Sequence, residues 1–186
     1  MRSKNGFTLI ELLITITIMA VLLTLTVVSL RSSQAHARDE ERKTDVAAIA
    51  QALENYFNGD IDREASVDSV VNNKLSYSLY NEATYPPTAY FTDEDSIRKA
   101  LETLDVLAIR APGVATTAAP SLIGATTTGT QSPTTSTYIY QPLKADGTLC
   151  NVGSTPNGPS DTCRDFTLYY QLETVSGVQT ITSKRR

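Results

Sequence analysis

A single carboxylate stands inside the most apolar stretch of this chain. Residues 7–30 contain one charged side chain, that of Glu11. A carboxylate inside hydrocarbon costs about 2.5–3.5 kcal/mol, so it persists where a partner offsets that cost. Either Glu11 lies near enough to an interface to stay hydrated, or it pairs with a cation from another chain. We favour the second interpretation, because a charge at such a position is retained by use more often than by accident.

The two cysteines, Cys150 and Cys163, are the second candidate for chemistry. A zinc site is excluded because neither histidine nor further cysteine lies near them. The residues between them are rich in Gly, Pro, Ser and Asn. In an oxidising compartment the pair would form a disulfide, contributing about 3 kcal/mol through the unfolded state. Two reduced, buried thiols are the alternative.

No other group of residues predicts a catalytic, cofactor or metal site. The sequence has no glycine-rich phosphate loop, no nucleophile elbow and no paired Cys and His. The single histidine, His36, has no potential metal ligand beside it, and the acids at 93–95 lack the spacing of a calcium loop. The net charge of −4 indicates no basic field for nucleic acid. We therefore expect no enzyme activity, no cofactor and no contact with nucleic acid.

The apolar stretch is long enough to cross a membrane. As a helix, residues 7–30 would extend about 36 Å, against a hydrocarbon core of about 30 Å. Arg2, Lys4 and the amino terminus precede it, and cations at the front of a span hold that end in the cytoplasm. The rest of the chain is then expected outside. No Gly or Pro interrupts the helix before Gly59. Four threonines within the span can bond back to helix carbonyls: Thr15, Thr17, Thr24 and Thr26.

The run Gly6-Phe7-Thr8-Leu9-Ile10-Glu11-Leu12-Leu13 resembles the type III signal of type IV pilins and pseudopilins. Shared features are a basic leader, Gly before Phe, an acid fifth from the new terminus, and an apolar helix. The resemblance implies that a prepilin peptidase cuts between Gly6 and Phe7 and methylates the freed amine of Phe7. It also implies a filament in which Glu11 of one subunit pairs with the Phe7 amine of its neighbour.

The resemblance also implies partners and a location. The partners would be further copies of the chain in a helical homopolymer, the prepilin peptidase, the membrane, and a pilus assembly platform with its ATPase machinery. The subunit would wait in the cytoplasmic membrane with its head outside, then enter an extracellular filament. We favour a major pilin; a minor pilin or a secretion pseudopilin is the alternative. Pseudopilin heads can bind calcium, for which the loops from Asp146 to Asp161 would be the place, but we predict no metal site.

Two simpler interpretations compete for the N-terminal segment. Ala35-His36-Ala37 is similar to the cleavage site of an ordinary secretory signal peptide, but the apolar stretch is too long and ends too early for that class. A plain signal anchor on a surface protein is the other possibility. Neither accounts for Glu11 and its distance from Gly6. The corresponding function of another class is a secreted or membrane-anchored adhesin or binding protein.

Beyond the span, residues 31–58 predict an amphipathic helical spine. A mixed-charge run at 38–45 indicates a solvated helix face, or else pairing between subunits, with Asp39 and Lys43 as an i,i+4 pair. Asn58-Gly59 is a plausible stop. The spine's apolar stripe recurs at helical spacing and should pack on a globular head: Val46, Ile49, Ala50, Leu53 and Phe57.

The head, residues 59–186, predicts mixed local structure. A short helix or turn is expected within 67–80, a break at Tyr85-Pro86-Pro87, and a second helix from Thr92. Residues 115–137, the threonine-rich segment, predict a long exposed loop or a partly disordered insertion. Alternation predicts strands at 137–141, 148–150, 164–174 and 178–182.

The fold class is therefore α+β: a long N-terminal helix packed against a small antiparallel β-sheet head. Its predicted divisions are a leader at 1–6, a transmembrane or filament-core helix at 7–30, a spine at 31–58 and a head at 59–186.

Overall fold

A computed structural model describes residues 7–58, 84–150 and 162–184, without the side chain of Val28. The elements in chain order are helix α1 (Leu9–Asn58), helix α2 (Glu94–Ala100), and strands β1 (Leu122–Gly124), β2 (Tyr138–Lys144), β3 (Cys163–Gln171) and β4 (Val178–Thr182). Two short 3-10 helices, Thr88–Tyr90 and Val106–Ile109, flank α2. The chain divides into two compact units, Met1–Ala37 and Arg38–Arg186. The predicted stop residue Gly59 and the predicted element at 67–80 lie outside the described residues.

The first unit contains the apolar part of α1, whose large side chains are exposed to solvent. By length and composition this helix can cross a membrane. Its threonine hydroxyls donate to carbonyls three residues earlier, as Thr15 does to Leu12 and Thr24 to Val21, at 2.8 and 2.7 Å. Thr17 and Thr26 bond in the same way. These hydroxyls are therefore satisfied within the helix, as an apolar environment requires.

The second unit contains a four-stranded sheet in the order β1-β2-β3-β4. Strands β2, β3 and β4 are antiparallel neighbours, and β4 has the predicted bounds. The α+β class is confirmed, but the sheet is mixed, because β1 runs parallel to β2. The predicted strand at 148–150 is reduced to a bridge between Leu143 and Leu149. Helix α2 begins at Glu94, two residues after Thr92, where the Asp93 side chain accepts the Ser96 N–H at 2.9 Å.

The threonine-rich segment is more ordered than a long exposed loop. It contains β1, and Leu122 in that strand is fully buried in the core. Gly124 is required at the end of β1, since a Cβ there would lie 2.8 Å from the Thr88 carbonyl oxygen. A run of two large apolar residues among many small ones is too short to show strand alternation, so the sequence pattern does not reveal it.

The main core forms between the predicted stripe of α1 and one face of the sheet. Val46, Ile49 and Leu53 are fully buried, and Phe57 almost so. The facing side chains of β3 include Phe166, Leu168 and Tyr170. Tyr85 lies between the two layers, with its ring 4.6 Å from that of Phe57 and 4.9 Å from that of Phe166. The segment Tyr85-Pro86-Pro87, predicted as a break, therefore supplies a central core residue, Tyr85.

Candidate functional site

Thr8 and Glu11 form a reciprocal cap at the start of α1. The Thr8 side chain accepts the Glu11 N–H at 3.3 Å. The Glu11 carboxylate accepts the Thr8 N–H at 2.8 Å and the Thr8 hydroxyl at 2.9 Å. This is a capping box, which satisfies two backbone donors that a helix start otherwise leaves without partners.

The cap determines what Glu11 does in a single chain. The carboxylate has local donors and lies at the positive end of the helix dipole, so it does not depend on a second chain for every partner. Phe7 precedes the helix and is 91% exposed, whereas Gly6 lies outside the described residues. The sequence reasoning missed Thr8. The sequence signal that could have revealed Thr8 is a Thr three residues before a Glu at the start of an apolar run, which is the signature of a capping box.

Asp39 and Arg42 connect α1 to the turn that follows β3. The prediction of a solvated face is wrong for these two residues, since each is only 2% exposed. The Asp39 carboxylate accepts the backbone N–H groups of Glu173 and Thr174 at 2.8 and 2.9 Å, and the Thr174 hydroxyl at 2.6 Å. It also pairs with Arg42 at 2.9 Å. The predicted pair of Asp39 with Lys43 is therefore not formed.

Glu173 completes this group, which we call the anchor cluster: Arg38, Asp39, Arg42, Glu173 and Thr174. The Glu173 carboxylate accepts from Arg38 at 2.5 Å and from Arg42 at 2.6 Å. Arg42 also donates to the Thr135 carbonyl at 2.9 Å, at the end of the threonine-rich segment. One buried guanidinium thus joins three parts of the head.

The carboxylates of the anchor cluster are held in their charged forms. Hydrogen bonds from Arg38 and Arg42 lower the pKa of Glu173 to about 2. For Asp39, burial is the largest single influence and raises the pKa. Hydrogen bonds from Glu173, Thr174 and Arg42 together outweigh it, and the resulting pKa is about 2. Both groups therefore stay ionised at neutral pH.

Asp45, which follows the anchor cluster along α1, has a pKa shifted in the opposite direction. Its carboxylate accepts the Tyr138 hydroxyl at 3.2 Å. The Asp45 pKa is raised to about 6. Burial is the largest cause, Glu41 and Asp105 act in the same direction, and Tyr138 and Arg42 oppose them. Burial first, and then the neighbouring Asp45, raise the pKa of Tyr138. Helix α1 therefore carries a carboxyl group, that of Asp45, which titrates in mildly acidic solution.

The predicted disulfide between Cys150 and Cys163 is present, with the Cα atoms 5.6 Å apart. Both residues are buried. Tyr85 donates its N–H to the Cys163 carbonyl at 2.9 Å, and Thr88 donates to that of Cys150 at 3.3 Å. The bridge therefore joins the start of β3 to the segment that follows β2, and both cysteines accept backbone hydrogen bonds from the segment that carries Tyr85.

The described residues offer little for metal chemistry. No group of three or more His, Cys, Asp or Glu side chains in that part of the chain could hold a metal ion. His36 is exposed on α1. Residues 151–161, within the loops considered for calcium, lie outside the described part.

Comparison with known proteins identifies the N-terminal segment. No curated protein and no solved structure matches the chain. A family model described as the prokaryotic N-terminal methylation motif matches residues 1–27. That range contains Gly6, Phe7, the capping box and most of the apolar span. Residues 1–27 therefore carry the prepilin signal that type IV pilins and pseudopilins share.

Proposed function

We propose that this chain is a structural subunit, a major pilin, of a type IV pilus-like extracellular filament. The observation that carries the proposal is the methylation motif at residues 1–27, followed by a helix whose apolar side chains are exposed. Exposed apolar surface on this scale must be covered by lipid or by other helices. A subunit that moves from membrane to filament has both coverings in turn.

The proposed processing creates the group that Glu11 needs. Hydrolysis of the peptide bond between Gly6 and Phe7 removes the leader and leaves a free amine on Phe7. This amine is a cation at the head of an apolar helix, and methylation keeps its charge. In the assembled filament Glu11 of one subunit pairs with the Phe7 amine of the next. This pairing offsets the cost of burying the carboxylate and sets the axial register.

The head is proposed to face outwards as a rigid unit that the anchor cluster and the disulfide stabilise. A disulfide agrees with an oxidising exterior. We expect the head to serve packing and display and to have no enzyme activity. A minor pilin or a secretion pseudopilin has the same N-terminal requirements. Abundance separates them, because a major pilin should dominate material sheared from the cell surface.

The test replaces Glu11 by Gln in the chain's own host. Glutamine can still cap Thr8 but carries no charge, so the Glu11→Gln variant removes pairing between subunits and keeps the local cap. We expect normal amounts of processed subunit in the membrane and at least a tenfold loss of filaments in the sheared fraction. Glu40→Gln, at an exposed position of α1, is the matched control and should assemble normally. Normal assembly of the Glu11→Gln variant would contradict the proposal.

A further inference from the structure

One stretch of the head has no charged side chain. Residues 111–143 contain no Asp, Glu, Lys, Arg or His, although charged residues make up 19% of the chain. Within this stretch, residues 126–130, which we call the hydroxyl loop, are all exposed. The loop consists of four threonines and Gly129. A protein surface normally relies on charges for hydration, and this stretch supplies none of its own.

The backbone of the hydroxyl loop is fixed to the outer face of the sheet. Gln141, a buried residue of β2, donates to the carbonyls of Thr127 and Gly129 at 3.0 and 2.9 Å. Gln131 donates to the same two carbonyls at 2.9 and 3.0 Å. Tyr169 of β3 donates its hydroxyl to the Gly129 carbonyl at 3.3 Å. The loop is thus held by its carbonyls, and its side chains project into solvent.

The threonine hydroxyls of this loop have no structural use in the described part of the chain. The side chains of Thr126, Thr127, Thr128 and Thr130 make no hydrogen bond among the described residues. By contrast, the hydroxyls of Thr134 and Thr137, a few residues later, lie 3.0 Å apart and bond to each other. Gly129 has φ +97°, and the space beside its Cα is open. The loop therefore presents accessible nucleophilic oxygens on a fixed backbone with room for a bulky substituent.

We propose that the hydroxyl loop is an acceptor for O-linked sugar. The donor class is a sugar activated as a diphosphate ester, on a nucleotide or on a membrane lipid. A threonine oxygen attacks the anomeric carbon, a C–O bond forms, and the bond from that carbon to the diphosphate breaks. The diphosphate leaves with the bonding electrons, and a base of the transferase takes the hydroxyl proton. Serine- and threonine-rich segments with nearby proline, here Pro120 and Pro133, are the composition that such sugars modify.

The attached sugar would supply hydration to a stretch that has no charged side chains of its own. The inference rests on the proposed function, because export brings the head to the side of the membrane where it is displayed. A lipid-linked donor would act there, and a nucleotide donor before export. Depleting the host's lipid carrier should abolish the modification in the first case and leave it in the second.

The experiment measures the intact mass of the chain purified from its own host, followed by site localisation with electron-transfer fragmentation. We expect a mass excess in sugar increments, placed on residues 126–130. A variant with Thr126→Val, Thr127→Val, Thr128→Val and Thr130→Val should lose the excess. Thr180→Val with Thr182→Val, at exposed positions of β4, is the matched control and should keep it.

Three outcomes would overturn the inference. The chain could be unmodified, or sugar could be found only outside residues 126–130. In the third, the loop carries no sugar and the valine variant fails to assemble into filaments. The last would assign the loop to contact between subunits. The same spectra report the N-terminal peptide. A chain that begins at Phe7 but carries no sugar contradicts only this inference, whereas a chain that retains its leader contradicts the proposed function.

Discussion

Arg42 donates to the Glu173 carboxylate at 2.6 Å, although the two residues are 131 positions apart. Asp39, one turn earlier on α1, receives two backbone N–H groups from the same turn after β3. The helix and the end of the sheet are therefore joined by buried charges as well as by the apolar core. Since these bonds are directional, they specify how the last two strands are placed along the helix.

Removing one charge from the anchor cluster should lower the free energy of unfolding. Asp39→Ala leaves the buried guanidinium of Arg42 without one partner and leaves the N–H groups of Glu173 and Thr174 without an acceptor. We expect a loss of about 3–5 kcal/mol in the free energy of unfolding. The measurement is urea unfolding of the full chain in detergent micelles, followed by tyrosine circular dichroism. Glu40→Ala is the control and should leave the midpoint unchanged; equal midpoints for Asp39→Ala and wild type would exclude the anchor role.

Mild acid should stabilise the head through Asp45. Its pKa in the folded chain, about 6, lies above the ordinary value of 3.8. Such a group contributes stability that is full below the ordinary pKa and is lost as the pH rises through the folded value. Lowering the pH from about 7 to about 5 should therefore raise the unfolding midpoint. Asp45→Asn should abolish this rise, and an unchanged rise in that variant would assign the titration to another group.

Stronger acid should have the opposite effect through the anchor cluster. The pKa values of Asp39 and Glu173, about 2, lie below the ordinary values of 3.8 and 4.5. Their contribution is full above the ordinary values and is lost as the pH falls towards 2. Together with Asp45, this predicts greatest stability near pH 4–5, roughly. A titration of the unfolding midpoint that rises steadily down to pH 2 would disagree with the anchor electrostatics.

Reduction should weaken the head without changing the N-terminal helix. Opening the bridge between Cys150 and Cys163 removes a constraint on the unfolded chain and should cost about 3 kcal/mol. Urea unfolding with and without a phosphine reductant measures the loss. The double variant Cys150→Ala with Cys163→Ala should show a comparable loss and no response to reductant. A response in the double variant would mean that the reductant acts elsewhere.

The capping box predicts local protection at the start of α1. Thr8→Val keeps the shape of the side chain but removes the oxygen that accepts the Glu11 N–H. We expect faster hydrogen exchange at the Glu11 amide in micelles, because that donor loses its partner. Thr17→Val is the control, since its hydroxyl donates to the Ile14 carbonyl and caps no helix start. Unchanged exchange at Glu11 in Thr8→Val would show that the cap does not form in a membrane-like environment.

The parts of the fold with a clear local pattern were predictable. The stripe from Val46 to Phe57 repeats at helical spacing, and β4 is bounded by a Gly turn. In β3, alternation separates Phe166 and Leu168, which face the main core, from Tyr169, which packs with Ala125 and Ile139. Each of these elements buries a face that the sequence marks residue by residue.

The anchor cluster could not be predicted in the same way. Asp39 and Arg42 look like other members of a mixed-charge run, and Glu173, the partner that they share, lies more than 130 positions away. Burial of a charge depends on which distant groups meet it, and helical spacing contains no information about them. The Thr8–Glu11 cap differs, because its partners are local and its spacing is a known signature.

The measurement that most directly tests the central claim is the N-terminal peptide of the mature chain, recovered from filaments sheared off its own host. Processing at the prepilin signal predicts a peptide that begins at Phe7 with a methylated amine. A terminus after Ala37 would make the chain an ordinary secreted protein without its apolar helix. An intact leader with Arg2 and Lys4 would make it a plain membrane anchor. Either result would contradict assembly through Phe7 and Glu11.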